Sequence, residues 1–238
     1  MRALGLVTII IVLCTPLRTL AQPSDTVNFE HYVFTAHPLD GGDGVFSMGA
    51  ALTILPQPLT EYPTPAPMVD LHWRLGLPLQ TSIYGRAGSN IATTLANMGL
   101  MWSFSIGRAS IGVGVSEMYM YGNITYVDGF NTVQHRWATY PMVAASWSFP
   151  AFTVSGRFEV EYMTSQVRTI ADQSVNTAQD QVNGGSLTLA IEQPFWKNTH
   201  VSLGVTLNYS RNPYQAWFLF NTFRDKMFYP ELFVGFML

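Results

Sequence analysis

Ionisable side chains occupy every second position in two segments of the chain, and a third segment adds one more acid. The set consists of Asp70, His72 and Arg74, then Arg157, Glu159 and Glu161, and finally Glu192. A period of two places such side chains on one face of a β-strand. Mixed charges inside a barrel either form a constriction that selects solutes or fill a narrow interior with ion pairs, and both interpretations remain open. Arg157 and Glu192 are predicted to face each other on neighbouring antiparallel strands.

These charges belong to a longer series of alternating apolar and polar residues. In residues 199–211, Val201 and Leu203 share one face, whereas His200 and Ser202 share the other. The alternating segments are 44–55, 67–76, 79–87, 91–104, 109–121, 136–148, 152–165, 185–194, 199–211 and 228–238. The pattern predicts an all-β fold, an antiparallel, up-and-down transmembrane β-barrel of about ten strands in residues 44–238. The apolar residues 214–223 leave twelve strands as an alternative.

Two kinds of connection separate the predicted strands. Short turns follow or contain four tryptophans, Trp73, Trp102, Trp147 and Trp196. Tryptophan favours the membrane–water interface, so these four predict an aromatic girdle at the periplasmic end. The alternate connections are mostly longer and polar, at residues 56–66, 122–135, 166–184 and 212–227. We expect these to be extracellular loops.

The first 21 residues have the pattern of a secretory signal peptide, with a basic start, an apolar run and a small-residue cleavage site at Ala21. Because the single cysteine, Cys14, lies in this segment, the mature chain is expected to contain none. Residues 22–43 are predicted to be a mostly irregular periplasmic lead-in, with a strand at 27–37 as the alternative.

Charge content narrows the class of protein further. Charged residues make up 11% of the sequence, against about 25% in ordinary soluble domains. A barrel wall that faces lipid needs few charges. The net charge of −3 argues against a nucleic-acid partner, which requires a basic surface.

With these features the chain resembles small, poorly characterised bacterial outer-membrane β-barrel proteins. The resemblance covers residues 44–238 and is carried by Gly-Val-Phe-Ser-Met-Gly at 44–49 and Val-Asp-Leu-His-Trp-Arg-Leu-Gly-Leu at 69–77. It implies a monomer in the bacterial outer membrane that contacts outer-membrane lipid, is inserted by the barrel assembly machinery and uses no cofactor. The terminal Phe236-Met237-Leu238 lacks the final aromatic residue that this machinery recognises in many such barrels.

Two functions are compatible with this prediction. One is a small passive pore or structural barrel without enzymatic activity. The other is a cell-surface binding or adhesion protein that uses loops 166–183 and 212–227. The candidate anchors in the second loop are Tyr214, Trp217, Phe218, Phe220 and Phe223. Exposed aromatic side chains can hold a partner, but they also suit packing on the barrel rim or contact with the outer leaflet.

A lipid-modifying outer-membrane enzyme is a minor alternative. His200 and Ser202 resemble the His-x-Ser pair of outer-membrane lipid A deacylases, in which the histidine activates the serine. Those enzymes carry the pair on the lipid side, whereas the alternation here places both residues in the lumen. The five histidines show no spacing typical of metal ligands, so no metal site is predicted.

Overall fold

The computed structural model describes residues 32–127, 130–170, 173–196, 199–217 and 225–237. Ten antiparallel strands form a closed barrel in which each strand pairs with its sequence neighbours and the first pairs with the last. They are β1 (Gly44–Leu55), β2 (Thr64–Leu77), β3 (Thr81–Ser89), β4 (Thr93–Ile106), β5 (Ala109–Val127), β6 (Phe130–Ser148), β7 (Thr153–Ile170), β8 (Gln173–Trp196), β9 (Thr199–Ser210) and β10 (Met227–Met237). The predicted fold class, an up-and-down barrel of ten strands, is confirmed.

Helical structure is limited to two short connecting pieces in the described part of the chain. Helix α1 (Gln57–Thr60) lies between β1 and β2, and a 3-10 helix (Tyr214–Ala216) lies between β9 and β10. Within the described residues, no helix has the length and apolar character needed to cross a membrane.

The two faces of the wall differ as the alternation predicts. On β1, Val45, Ser47 and Ala51 are buried in the interior, whereas Phe46 and Met48 are 44% and 53% exposed. The same outer face continues around the wall with Met98, Leu100, Val113, Val143, Phe158 and Leu189. A surface with so many exposed apolar side chains suits hydrocarbon better than water.

The barrel has two dissimilar ends. Tight turns at residues 78–80, 107–108 and 149–152 lie at the end where β1 begins and β10 finishes, which we call the turn end. Near this end, Trp102, Trp147 and Trp196 are exposed, and the ring of Trp73 lies against Gly85, where it occupies the space that a Cβ would need. We call the opposite end the hairpin end.

Strands β5 to β8 extend beyond their predicted limits at the hairpin end. Strand β5 runs to Val127, β6 starts at Phe130, β7 ends at Ile170 and β8 starts at Gln173. The predicted loops 122–135 and 166–184, including the candidate binding loop 166–183, are therefore wrong, because these residues form mainly paired strands. Polar composition alone does not indicate a loop. Polar side chains indicate that a segment contacts water, whereas a strand continues wherever a neighbouring strand pairs with it.

The wall closes with ten strands, so the alternative of twelve is not supported. Strand β1 pairs directly with β10, from Ser47 opposite Met237 to Thr53 opposite Glu231. The first residues of the proposed extra hairpin form the 3-10 helix, and residues 218–224 lie outside the described residues.

The chain enters the barrel before the first strand begins. Tyr32, Val33, Phe34, Thr35 and Ala36 are all at most 6% exposed and form no strand. This position differs from the periplasmic lead-in predicted for residues 22–43. It also differs from the alternative strand at 27–37, of which residues 27–31 lie outside the described part. We call residues 32–39 the plug segment.

Small side chains on the wall leave room for the plug segment. Ser47, Ser110, Ala144 and Ser146 point into the lumen and are buried. Side chains of this size do not reach the middle of a ten-stranded barrel, since even eight strands enclose space for full-sized side chains. The plug segment therefore takes the place of the larger wall side chains that this part of the lumen lacks.

An arginine placed on the outer face at mid-wall tests whether that face contacts lipid. Leu100 on β4 is 53% exposed, and Leu100→Arg should lower the free energy of unfolding in vesicles by about 2–4 kcal/mol. Thr94→Arg, on the same face but near the hairpin end, should cost about 0–1 kcal/mol. Urea titration measures both, and equal tolerance of the two arginines would contradict a lipid-facing wall.

Candidate functional site

A first group of lumen charges is centred on Arg86. Its Nε and Nη2 donate to Oδ1 and Oδ2 of Asp70 at 2.8 and 3.0 Å, and Nη2 also donates to Oε1 of Glu231 at 2.8 Å. His72 Nε2 lies 3.1 Å from Asp70 Oδ2. Asp70 and Glu231 are 3% and 2% exposed, so both acids depend on Arg86 for charge compensation.

A second group lies on β6, β7 and β8. The guanidinium of Arg136 forms an ion pair with Glu161, and Asn183 Nδ2 donates to Glu161 Oε2 at 2.6 Å. Arg136 Nη1 also donates to the carbonyl of Asn212 at 2.7 Å. Arg136 is absent from the predicted site, although it is the first residue of the predicted strand 136–148 and shares the lumen-facing parity of that strand with Ala144 and Ser146.

Arg157 does not form the predicted cross-strand pair. The β7–β8 register places Thr188 opposite Arg157 and Thr153 opposite Glu192, so the expected Arg157–Glu192 contact is wrong. The guanidinium of Arg157 instead lies over the ring of Tyr84, 5.2 Å from its centroid. Among the described residues, Arg157 makes no ion pair and its Nε has no hydrogen-bond partner.

Glu192 and Arg74 hold the plug segment. Glu192 Oε1 accepts hydrogen bonds from the backbone N–H groups of Val33 at 2.7 Å and Phe34 at 3.0 Å. Arg74 Nη1 donates to the carbonyl of Thr35 at 2.6 Å. The predicted charge network is therefore divided, since these two residues bind the plug segment instead of joining the other charges.

The plug segment makes further contacts with β4, β5 and β6. The N–H of Ala36 donates to Ser146 Oγ at 2.7 Å, and His37 Nδ1 lies 2.9 Å from Ser105 Oγ and 3.3 Å from Ser110 Oγ. Burial and the guanidinium of Arg74 lower the pKa of the His37 imidazole, while Asp40 acts in the opposite direction. The segment thus follows the inside of the wall from β4 to β8.

The hairpin end is covered by residues 212–217, which we call the cap segment. Tyr214 Oη and Gln215 Nε2 each donate to Glu231 Oε2 at 2.7 Å, and Trp217 Nε1 donates to Thr93 Oγ1 at 2.9 Å. Trp217 is 2% exposed, and its ring lies against Gly122.

The predicted surface anchors in this region are therefore wrong for two of the five residues. Trp217 points into the barrel, where its ring belongs to a buried apolar cluster with Met118, Met120 and Leu95. Tyr214 also points inward, because its hydroxyl donates to Glu231. Phe218, Phe220 and Phe223 lie outside the described residues.

Between the plug and cap segments lies a cavity of about 100 Å³. Its lining includes Phe34 from the plug segment, Tyr214 from the cap segment, and Arg157 and Glu159 from the wall. A space of this volume holds a few water molecules. The wall charges that were predicted to form a constriction thus surround a small polar chamber.

The His200–Ser202 pair lies in the lumen beside the plug segment. Both side chains are buried, at 9% and 1% exposure. The hydroxyl of Ser202 donates to the carbonyl of Gly235 at 3.3 Å, and the ring of His200 packs edge-on against Tyr32 at a centroid distance of 5.4 Å. The lumenal position agrees with the alternation of β9.

Removal of Arg86 should be strongly destabilising because it leaves two buried acids without compensation. Arg86→Met should lower the free energy of unfolding by about 3–5 kcal/mol, measured by urea titration in vesicles. Arg108→Met, in an exposed turn, should change it by less than about 0.5 kcal/mol. The triple variant Arg86→Met, Asp70→Asn, Glu231→Gln should recover part of the loss. Similar stability of the two single variants would contradict this account.

No protein-family model matches the sequence, and no curated protein matches it. The solved structures that are similar at a low level include the following three. CdiB from Acinetobacter baumannii shows 10% identity and a TM-score of 0.32, covering 71% of this chain and 31% of that chain. The translocator domain of autotransporter NalP from Neisseria meningitidis shows 10% identity and a TM-score of 0.37, covering 82% and 86%.

The third structure is the TodX ΔS2S3 mutant, a monoaromatic hydrocarbon channel, with 8% identity and a TM-score of 0.31, covering 81% of this chain and 66% of that chain. The chain thus spans about a third of CdiB and just under two thirds of TodX. These values are low, and the barrel architecture is established by the strand pairing of the chain itself.

Proposed function

We propose that the protein is a passive, non-enzymatic pore of the bacterial outer membrane whose lumen is closed at rest by the plug and cap segments. The observation that carries the proposal is the way the lumen is filled. Near the turn end, wall side chains such as Ser110 and Ser146 are small and buried. The plug segment, which is not part of the wall, occupies the lumen that they leave free. A purely structural barrel needs no such space, because wall side chains alone fill a narrow interior.

The chamber between the segments supports a preference for small polar or charged solutes. Its wall carries both signs of charge, including Arg157 and Glu159, together with the hydroxyl groups of Tyr84 and Tyr140. Rings of charged side chains set the ion selectivity of many pores. Since Arg157 is not neutralised by an ion pair within the described residues, it is the wall cation with the greatest expected influence on passing ions.

The sequence and the apolar outer face support a location of the pore in the outer membrane. Residues 1–21 direct the chain across the inner membrane, and the barrel assembly machinery inserts it as a monomer into outer-membrane lipid without a cofactor. The tight turns face the periplasm, and the long hairpins face the outside. The apolar outer face with Trp102, Trp147 and Trp196 near the turn end supports this orientation.

Weakening the plug segment should open the pore. Val33→Pro combined with Ala36→Pro removes the N–H groups that donate to Glu192 and Ser146. In planar bilayers the double variant should show discrete conductance steps with an open probability at least tenfold above that of the wild type. Pro38→Ala, in the same segment, should behave like the wild type. Heat-modifiable migration on gels confirms folding, and a folded but silent double variant would refute the pore.

Selectivity should depend on Arg157. In the plug-weakened background, Arg157→Gln should shift the reversal potential in a salt gradient toward cation selectivity, because the chamber loses its unpaired positive charge. Arg108→Gln, in an exposed turn, serves as the matched control and should leave the potential unchanged. An identical shift in both variants would mean that the ions do not pass the chamber.

A surface-binding role for the β7–β8 hairpin is a second candidate. The two strands contain 18 and 24 residues, whereas about 9–11 residues span the membrane, so the hairpin projects well beyond it. Replacing residues 169–174 by Asn-Gly should then abolish binding of cells to a surface and leave conductance unchanged. Retained cell binding would remove this candidate.

A further inference from the structure

Four consecutive residues of the plug segment are bound through their backbone atoms. The N–H groups of Val33 and Phe34 donate to Glu192, the carbonyl of Thr35 accepts from Arg74, and the N–H of Ala36 donates to Ser146. These bonds do not depend on the identity of the bound side chains. In many peptide-binding proteins, hydrogen bonds to the main chain of the peptide likewise give affinity, and a few side-chain pockets give specificity.

Two of the wall groups that make these bonds are also bonded to the barrel itself. Arg74 Nε donates to Ser82 Oγ at 3.0 Å. The hydroxyl of Ser146 donates to Ser155 Oγ at 3.0 Å. A site whose polar groups are fixed before binding loses little entropy when a ligand enters.

Glu192 also imposes a shape on its ligand. Two successive N–H groups, of Val33 and Phe34, converge on a single carboxylate oxygen. Successive N–H groups point to one side only where the chain bends, and such a concave arrangement favours an anion. The site therefore accepts a bent chain and excludes proline at the positions of Val33, Phe34 and Ala36, because proline has no N–H.

Several side chains of the plug segment contact the wall, and that of Phe34 lies in an aromatic pocket. The ring of Phe34 stacks on Phe233 at a centroid distance of 4.8 Å and lies 4.7 Å from the His72 ring. Aromatic contacts of this kind favour an aromatic residue over an aliphatic one of similar size.

The cap segment is held differently. Tyr214, Gln215 and Trp217 each donate through their own side chain, so the cap site fits this particular sequence. The plug site, which bonds mainly to the backbone, is the one of the two that another chain can occupy.

We propose that the turn end of the lumen is a binding site for short, bent polypeptide segments with an aromatic residue at the Phe34 position, and that the plug segment is its resting occupant. The inference rests on the proposed pore and names a ligand for its turn end: a peptide from the periplasmic side displaces the plug segment and occupies the same wall groups. The plug segment competes at the millimolar effective concentration typical of a tethered ligand, so only a peptide of matching backbone and aromatic chemistry replaces it.

A fluorescently labelled peptide with the sequence of residues 32–39 tests the site in trans. The protein is the full chain in lipid nanodiscs, carrying Val33→Pro and Ala36→Pro to weaken its own plug segment, and fluorescence anisotropy measures binding. We expect saturable binding that is at least tenfold tighter than to the wild-type chain, whose intact plug segment competes. Absence of saturable binding to the folded variant would overturn the inference.

Changes in the peptide separate backbone recognition from nonspecific adsorption. A peptide in which Val33, Thr35 and Pro38 are exchanged for other non-proline residues of similar size, while the remaining residues stay in place, should bind within about threefold of the original. Alanine at the Phe34 position, or proline at the Val33 and Ala36 positions, should weaken binding at least tenfold. Equal binding of all four peptides would show adsorption to lipid and overturn the site.

A matched pair of wall variants locates the binding. Glu192→Gln, added to the plug-weakened chain, should weaken peptide binding about tenfold because the carboxylate charge that attracts the two N–H groups is lost. Glu117→Gln, the same change at a residue bonded to Thr139 and outside the binding site, should leave binding unchanged. Loss of binding in both variants, or in neither, would contradict the assignment to the lumen.

Conductance recorded on the same plug-weakened variant keeps the two proposals distinguishable. Conductance that the peptide blocks supports both. If the peptide leaves the conductance unchanged and shows no binding by anisotropy, the peptide site is refuted and the proposed pore is still supported. Saturable binding to a variant that never conducts supports the peptide site and refutes the pore.

Discussion

Every backbone N–H and carbonyl group in a lipid-facing wall must find its hydrogen-bond partner within the protein. The sheet meets this requirement by pairing β1 with β10, which leaves no open strand edge. Closure at ten strands fixes the width of the lumen, and the width determines what must fill it. The inner side chains of the closed wall are, over large areas, too small to meet in the middle. The remaining space is filled by the plug segment, the cap segment and the buried ion pairs.

The buried charges also contribute to closure. Arg86 on β3 bonds both to Asp70 on β2 and to Glu231 on β10, so a single guanidinium connects strands on the two sides of β1. Glu231 in turn accepts from Thr53 on β1. Because each buried acid relies on this arrangement for compensation, the junction between the first and last strands is tied by side chains as well as by the ladder.

The sequence predicted the wall well and its contents poorly. Alternation placed Asp70, Arg74 and Glu192 on the inner face, because strand period depends only on local pattern. The strand pairing of Arg157 with Thr188 was missed because register depends on the length of the β7–β8 hairpin, which polar composition concealed. The plug segment has no local signature, since its position is set by Glu192 and Ser146, which lie far away in the chain. Tyr214 and Trp217 were assigned to the surface for the same reason.

The hydrogen bonds of the plug segment join residues 159, 158 and 110 positions apart in sequence. Contacts of such long range form only after β6 and β8 have taken their places, because loop closure over that length is unfavourable until a partner exists. The plug segment therefore depends on strands β6 and β8 for its position. It contributes nothing to the strand ladders, so its departure breaks no wall bond. The wall persists as long as the protein is folded, whereas release of the plug segment requires only local opening, which in proteins takes on the order of microseconds to seconds.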